Sequence, residues 1–308
     1  MKNFKLMVLF LLLSFIFAGL FFLESPQKSD NQKPIVMVST FALYDVSKFI
    51  ADDTFIIKNI LPFGVDPHSF ELTPKIMASI EKSSVVFYSG AGLEPWISKI
   101  NFKSRTVNMS QYITLRKVSS DTHHHEDEHH HHGGLDPHYW LDVHNMQKIA
   151  QKIADEFIKL EPKNSDLYVK KRDAYIAMLQ TLDAAYKKEL ASCKIDTVIL
   201  NHNSLGYIAQ RYHFHSEALS GLSPESVPTP SDIKRILQEI SKDGVETIFY
   251  ENFVTARVVN TIANDAGVKV EVIQTLANIT ADQAKQGSTY EALMQENLEK
   301  ISKAMQCN

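Results

Sequence analysis

The sequence predicts an α/β protein: two similar lobes with mostly parallel sheets, joined by a long backbone helix. Three observations lead there. Apolar runs of strand length alternate with stretches of helical periodicity. The same alternation occurs in both halves of the chain. Between the halves, residues 146–191 contain no glycine and are helix-compatible almost throughout. Strands that alternate with helices imply parallel sheets, because a crossover helix brings the chain back to run in the same direction.

The first strand is residues 35–38. Residues 41–51 follow as a helix, with Leu43, Val46, Phe49 and Ile50 recurring at helical spacing. Residues 54–61 read as a strand. A helix then starts at Thr73-Pro74: Thr73 supplies the cap and Pro74 the first helical position, where its missing N–H costs nothing. Residues 84–89 are a further strand, and Glu94-Pro95 opens another helix. In the second half, residues 197–200 are a strand and 203–211 a helix. His213 and His215 alternate and read as one exposed face of a strand. Thr229-Pro230 repeats the capped start, with Asp232 placed to complete a capping box. Residues 247–250 form a strand, 256–266 a helix and 268–273 a strand.

The connector breaks at Pro162. Beyond the break, residues 165–191 place Leu167, Tyr168, Tyr175, Leu179, Leu182 and Tyr186 on an apolar face. At 1.5 Å per residue they make a rod of roughly 40 Å, long enough to join two lobes and to restrain their hinge motion. The expected division is a targeting segment and linker at 1–33, an N-terminal lobe at 34–145, the connector at 146–191 and a C-terminal lobe at 192–308.

A chain of 308 residues with 44% hydrophobic content suits a two-domain globular protein. A formal net charge of -4, with no block of Lys and Arg beyond the extreme N-terminus, gives nucleic acid no electrostatic footing. Lys2 and Lys5 precede an apolar run at 6–23, and residues 24–33 are polar. This is an export signal, either cleaved or kept as a membrane anchor, because the run approaches the length that spans a bilayer. Export makes oxidation available to the two cysteines, Cys193 and Cys307. An even pair suggests one disulfide, the alternative being two separate buried thiols.

Histidine carries the chemistry. His68, His138 and His202 each stand where a strand-like run gives way to a turn or helix start. In open α/β sheets ligands bind beyond the C-terminal ends of strands. One such histidine alone reads as a surface or satisfied core residue. Three at matching topological positions point instead to one interlobe site, and several imidazoles together suit zinc better than calcium, magnesium or manganese. A His-rich loop at 121–134 precedes the second of them. Its His123, His124, His125, His129, His130, His131 and His132 surround Glu126, Asp127 and Glu128. The tract reads either as a solvated charged segment or as a weak zinc collector beside the site.

Five stretches run in order along nearly the whole exported chain. They are Gly64-Val65-Asp66-Pro67-His68-Ser69-Phe70-Glu71-Leu72-Thr73-Pro74, Asp136-Pro137-His138-Tyr139-Trp140-Leu141-Asp142, Asn201-His202-Asn203-Ser204-Leu205-Gly206-Tyr207, Gly221-Leu222-Ser223-Pro224-Glu225 and Thr229-Pro230-Ser231-Asp232. On these the chain resembles the zinc-specific solute-binding proteins of metal ABC importers, the ZnuA type of the cluster A-I metal-binding family. The resemblance implies two lobes with one metal between them, Zn2+ as the transported ligand rather than a cofactor of catalysis, and a membrane permease of a zinc ABC importer as partner. It also implies a periplasmic protein that is not an enzyme, here expected as a monomer. His68, His138 and His202 fall on the family's first three ligand positions. A histidine at the third resembles zinc members, whereas manganese members tend to carry a carboxylate there.

The departure is at the fourth position. The family often supplies a carboxylate after the last strand of the second lobe, where this chain reads Gln274-Thr275-Leu276-Ala277-Asn278. Water or Glu251 would complete the four ligands zinc commonly takes. Glu251 has a second option, orienting a ligand histidine from behind, and Asp142 has the same option beside that of a helix N-cap. Two further classes fit three zinc-binding histidines. One is an exported zinc hydrolase with water in the open position, although no H-E-x-x-H motif occurs. The other is a metal-dependent surface adhesin.

Overall fold

Two four-stranded parallel sheets carry the fold of the computed structural model, which describes residues 33–118, 134–222, 226–251 and 257–308. The targeting segment and the His-rich tract at 123–132 therefore lie outside the described residues. The first sheet is β1 (Ile35–Val38), β2 (Ile56–Asn59), β3 (Val85–Tyr88) and β4 (Arg105–Asn108), in the order β2-β1-β3-β4. The second is β5 (Thr197–His202), β6 (His215–Ser220), β7 (Thr247–Glu251) and β8 (Lys269–Ile273), in the order β6-β5-β7-β8. The two orders are one pattern. Each sheet reverses its direction of winding beside its first strand, between β1 and β3 and between β5 and β7, and such switch points open crevices for ligands.

Side-chain alternation sets the layers. Val36 and Val38 join the central core while Met37 packs on the opposite face. In β5, Val198 and Leu200 face the central core and Ile199 the outer one. The central core draws residues from both sheets and from the helices between them, so the lobes share one apolar interior.

The helices are α1 (Phe41–Ala51), α2 (Pro74–Glu81), α3 (Val143–Leu160), α4 (Ser165–Glu189), α5 (Gly206–Tyr212), α6 (Pro230–Asp243), α7 (Arg257–Ala266), α8 (Ala281–Gln286) and α9 (Tyr290–Ala304). Thr73 and Thr229 cap their helices with proline at the first turn, and Thr229 with Asp232 closes a capping box. A 3-10 turn at Pro162–Asn164 separates α3 from α4. With 25 residues, α4 is about 38 Å long. Its tyrosines bind both lobes: Tyr168 Oη donates to Thr54 Oγ1 (2.9 Å), Tyr175 Oη to Asp45 Oδ2 (2.9 Å) and Tyr186 Oη to the Met294 carbonyl (2.7 Å). Among the described residues no helix is long and apolar enough to cross a membrane.

Several expectations need correction. Pro95 does not open an α-helix. Only a 3-10 turn at Ile97–Lys99 follows, because the segment buries Trp96 but lacks an apolar stripe at helical spacing. Phe49 leaves the buried face of α1 and is 43% exposed, its ring against Tyr175. His213 does not share a strand face with His215. It caps α5 in the left-handed conformation (φ 62°), and β6 begins only at His215. Strand β4 and helix α8 are short, whereas α9, passed over in the sequence, carries a Thr289 cap and buried residues Tyr290, Leu293, Met294, Leu298 and Ile301 at helical spacing.

Glu94 is fully enclosed beneath the turn that follows β3. Its Oε1 accepts from Ser39 Oγ (2.5 Å) and the Ser89 N–H (2.7 Å), and its Oε2 from the Gly90 N–H (2.9 Å). Gly90 (φ 78°) is required there, since a side chain would overlap Asn108 and Ser110. Burial pushes the Glu94 carboxyl up to about 7 despite these donors. The unfolded chain ionises this group near its ordinary value of about 4.3. Its favourable contribution is therefore complete below that pH and is lost as pH rises through 7. Relative to Glu94→Gln, the parent should lose roughly 3 kcal/mol of unfolding free energy between pH 4.5 and 7.5, measured by urea unfolding across that range.

Cys193 and Cys307 are joined by a disulfide across 114 residues, tying the C-terminus to the entry of the second sheet. Cross-linking a loop of this length removes unfolded-state entropy worth up to about 4.7 kcal/mol. The Cys193→Ser/Cys307→Ser double variant should unfold with about 2–5 kcal/mol less free energy in guanidinium titrations.

Candidate metal centre

Three segments deliver three imidazoles to one point. His68 lies in the loop between β2 and α2, His138 heads the short 3-10 turn (Tyr139–Leu141) before α3, and His202 is the last residue of β5. The Asp66-Pro67-His68 and Asp136-Pro137-His138 loops fold alike. In each, the aspartate Oδ1 accepts the backbone N–H of the histidine at 3.0 Å. His202 sits at the switch point of the second sheet, where β5 and β7 separate.

His138 Nε2 lies 3.4 Å from His68 Nε2 and 3.4 Å from His202 Nε2. The three donor atoms all fall within 4.8 Å of one another, the one such group of His, Cys, Asp and Glu found among the described residues. Nitrogens at about 2.0–2.1 Å from a tetrahedral zinc are about 3.3–3.4 Å apart, which the two separations from His138 match, while His68 and His202 lie within 4.8 Å of each other. His138 and His202 are buried and His68 lies at the mouth of the site. Loss of hydration, and then the neighbouring His138 and His202 rings, hold the His68 pKa well below 6.5. A neutral, unprotonated imidazole is the form that binds metal.

Carboxylates lie behind two of the three rings. Asp136 Oδ1 hydrogen-bonds to His138 Nδ1 at 2.9 Å, and Glu251 Oε1 approaches His202 Nδ1 to 2.5 Å without hydrogen-bond geometry. Both carboxylates are buried. A carboxylate behind the ring holds the proton on Nδ1 and leaves the Nε2 lone pair for a ligand. Glu251, at the end of β7, thus contacts the far side of its histidine rather than the point where the Nε2 atoms meet. Asp142 takes the capping role. Its Oδ1 accepts the His144 N–H (2.9 Å), and Arg211 grips both its oxygens at 2.5 and 2.7 Å.

Sequence reasoning passed over Asp136. The signal was present, because Asp-Pro-His occurs twice, at 66–68 and 136–138. Gln274, where the family often supplies a fourth ligand, has its backbone pinned to the Asn297 side chain at 2.9 and 2.6 Å. Among the described residues, no carboxylate joins the three-histidine group.

The family profile for the zinc-uptake complex component A, periplasmic, matches residues 36–304. The chain belongs to the ZnuA family. The high-affinity zinc uptake system protein ZnuA of Bacillus subtilis (strain 168) is 30% identical over 284 residues, 90% of this chain and 89% of that protein. The manganese ABC transporter substrate-binding lipoprotein PsaA of Streptococcus pneumoniae is 27% identical, over 90% of this chain and 91% of that one. Among solved structures, the laminin-binding protein Lmb of Streptococcus agalactiae, described as a bifunctional adhesin and metal transporter, superposes with a TM-score of 0.79. It is 27% identical, covering 89% of this chain and all (100%) of that one. As a ZnuA-family member the chain is a substrate-binding protein of a metal ABC transporter, a class that works with a membrane permease and is not enzymatic.

Proposed function

We propose that this protein captures one Zn2+ ion with His68, His138 and His202 and delivers it to the permease of a zinc ABC importer. The observation that carries this reading is the meeting of three imidazoles whose donor atoms lie within 4.8 Å of one another, with His138 Nε2 3.4 Å from each of the other two. The donor set favours zinc over manganese, since manganese prefers carboxylate and water oxygen whereas imidazole suits zinc. Water takes the fourth position, and Glu251 serves as orienter of His202. The N-terminal lobe (34–145) and the C-terminal lobe (192–308) contribute opposite walls of the site, with 146–191 as connector. Export by the N-terminal signal places the protein in the periplasm, and the His-rich tract at 123–132 gathers zinc weakly beside the site. The likeness to Lmb favours adhesion as a second activity, which binding to immobilised laminin would test.

Competition with a fluorescent chelator measures the tight site. His202→Ala should lower zinc affinity by at least about 100-fold, because each of the three proposed ligands supplies a primary bond. Parent-like binding by that variant removes the assignment. Manganese, measured the same way, should bind the parent much more weakly than zinc.

The pH dependence has a definite sign. Protons displace zinc only where they bind the empty site, and His68 binds them less readily than free imidazole. Zinc affinity should therefore fall less steeply through the range near 6.5 than it would if His68 were also an ordinary imidazole, because His68 takes up its proton only at lower pH. Calorimetry between pH 5 and 8, on protein lacking residues 123–132, isolates this effect from the tract.

A further inference from the structure

The residues that orient His138 are held from the opposite lobe. Arg116–Val118 and Gly134–Asp136 run as a short antiparallel pair, with a bridge between Lys117 and Leu135 and bonds from the Asp136 N–H to the Arg116 carbonyl (2.9 Å) and from the Val118 N–H to the Gly134 carbonyl (2.5 Å). Asp136 ends this stem with its carboxylate fully used: Oδ1 on the His138 N–H and Nδ1, and Oδ2 on Arg116 Nη1 at 2.9 Å. The second lobe then closes over the stem. Tyr207 Oη accepts the Arg116 N–H (2.8 Å) and donates to the Asp136 carbonyl (2.9 Å), so one buried hydroxyl spans both strands. Beside it the Arg116 guanidinium lies flat against Gly206. A Cβ built there would overlap it, 2.5 Å from Cζ, so only glycine admits this approach. Gly206 and Tyr207 follow His202 by four and five residues on the same lobe.

We infer that Gly206, Tyr207, Arg116 and Asp136 form an interlobe latch that sets the orientation of His138, and so the metal affinity, without touching the metal. The inference rests on His138 being a metal ligand. Its physical content is a coupling. With the lobes together, Tyr207 locks the stem, Arg116 fixes Asp136, and Asp136 keeps the proton on His138 Nδ1 and Nε2 free. Separation of the lobes at this contact would break both Tyr207 bonds to the stem and release Asp136 from its position. Ligand geometry and lobe closure are then one equilibrium rather than two. These four are positioning residues.

The test measures zinc affinity by chelator competition, the visible spectrum of the Co2+-loaded full chain as a reporter of ligand geometry, and thermal stability of the metal-free protein. Partners of ligand histidines commonly govern affinity by 10–100-fold. Asp136→Asn should fall in that range, and Tyr207→Phe, which keeps the ring, should weaken zinc about 10-fold and alter the Co2+ spectrum. The sharper arm is a cycle. Gly206→Ala should weaken zinc about 10-fold when Arg116 is present and by less than about twofold in an Arg116→Ala background, where nothing remains to collide with. A purely structural role would lower thermal stability while leaving the Co2+ spectrum and the affinity unchanged. That result for Tyr207→Phe, or an equal effect of Gly206→Ala in both backgrounds, overturns the latch. His138→Ala provides the separate control: parent-like zinc binding in that variant would sink the metal site itself.

Discussion

Everything in this molecule serves the approach of three imidazole nitrogens that have no intrinsic reason to meet. Imidazole nitrogens 3.4 Å apart gain little from one another, and burial strips hydration from the rings that carry them. The surrounding structure supplies the restraint. His202 ends a strand whose residues are all buried, His138 begins a turn wedged between Asp136 and Trp140, and His68 hangs on a loop anchored from outside its own lobe. Under the proposed function such a site is preorganised, because the rings are already gathered when a cation enters.

The anchoring of the first lobe comes largely from one stretch of the second. Between β8 and α8 the chain passes the start of α1 and the loop after β2, and its carbonyls at Ala277, Leu276 and Ile279 accept from the N–H groups of Phe41, Ala42 and Gly64. Asn278 Nδ2 donates to the Pro62 and Val65 carbonyls at 2.6 and 2.8 Å, fixing the loop that leads to His68. Trp140 Nε1 donates to the Thr275 carbonyl, and Tyr290 Oη to the Trp140 carbonyl, both at 2.7 Å. Together with the shared core and the long helix, these bonds favour small local adjustments over a wide hinge. Opening the lobes fully would expose apolar surface and exchange this set of hydrogen bonds for bonds to water.

Buried carboxylates appear where orientation matters. Asp136 and Glu251 each face a histidine, and Asp142 is matched by the Arg211 fork. A buried charge is tolerated only when its lone pairs are taken, and that requirement makes these groups directional. Glu94 is enclosed among three hydrogen-bond donors, and that enclosure pushes its ionisation toward neutral pH.

Patterns that depend on near neighbours were legible in the sequence. Alternating apolar runs marked strands β1, β3, β5, β7 and β8, the Thr-Pro pairs marked the starts of α2 and α6, and Pro162 marked the break before α4, because period and capping are local properties. The three histidines stood out for a related reason, each standing where a strand-like run gives way to a turn or helix start. Tertiary structure alone decided what lies behind them. It put Glu251 against the far nitrogen of His202, gave Asp136 to His138 while Asp142 became a cap, and set Gly206 under the Arg116 guanidinium. Those roles depend on contacts between residues such as Arg116 and Tyr207, 91 positions apart, and a one-dimensional period carries no information about which distant side chain the closed lobes will bring within hydrogen-bonding reach.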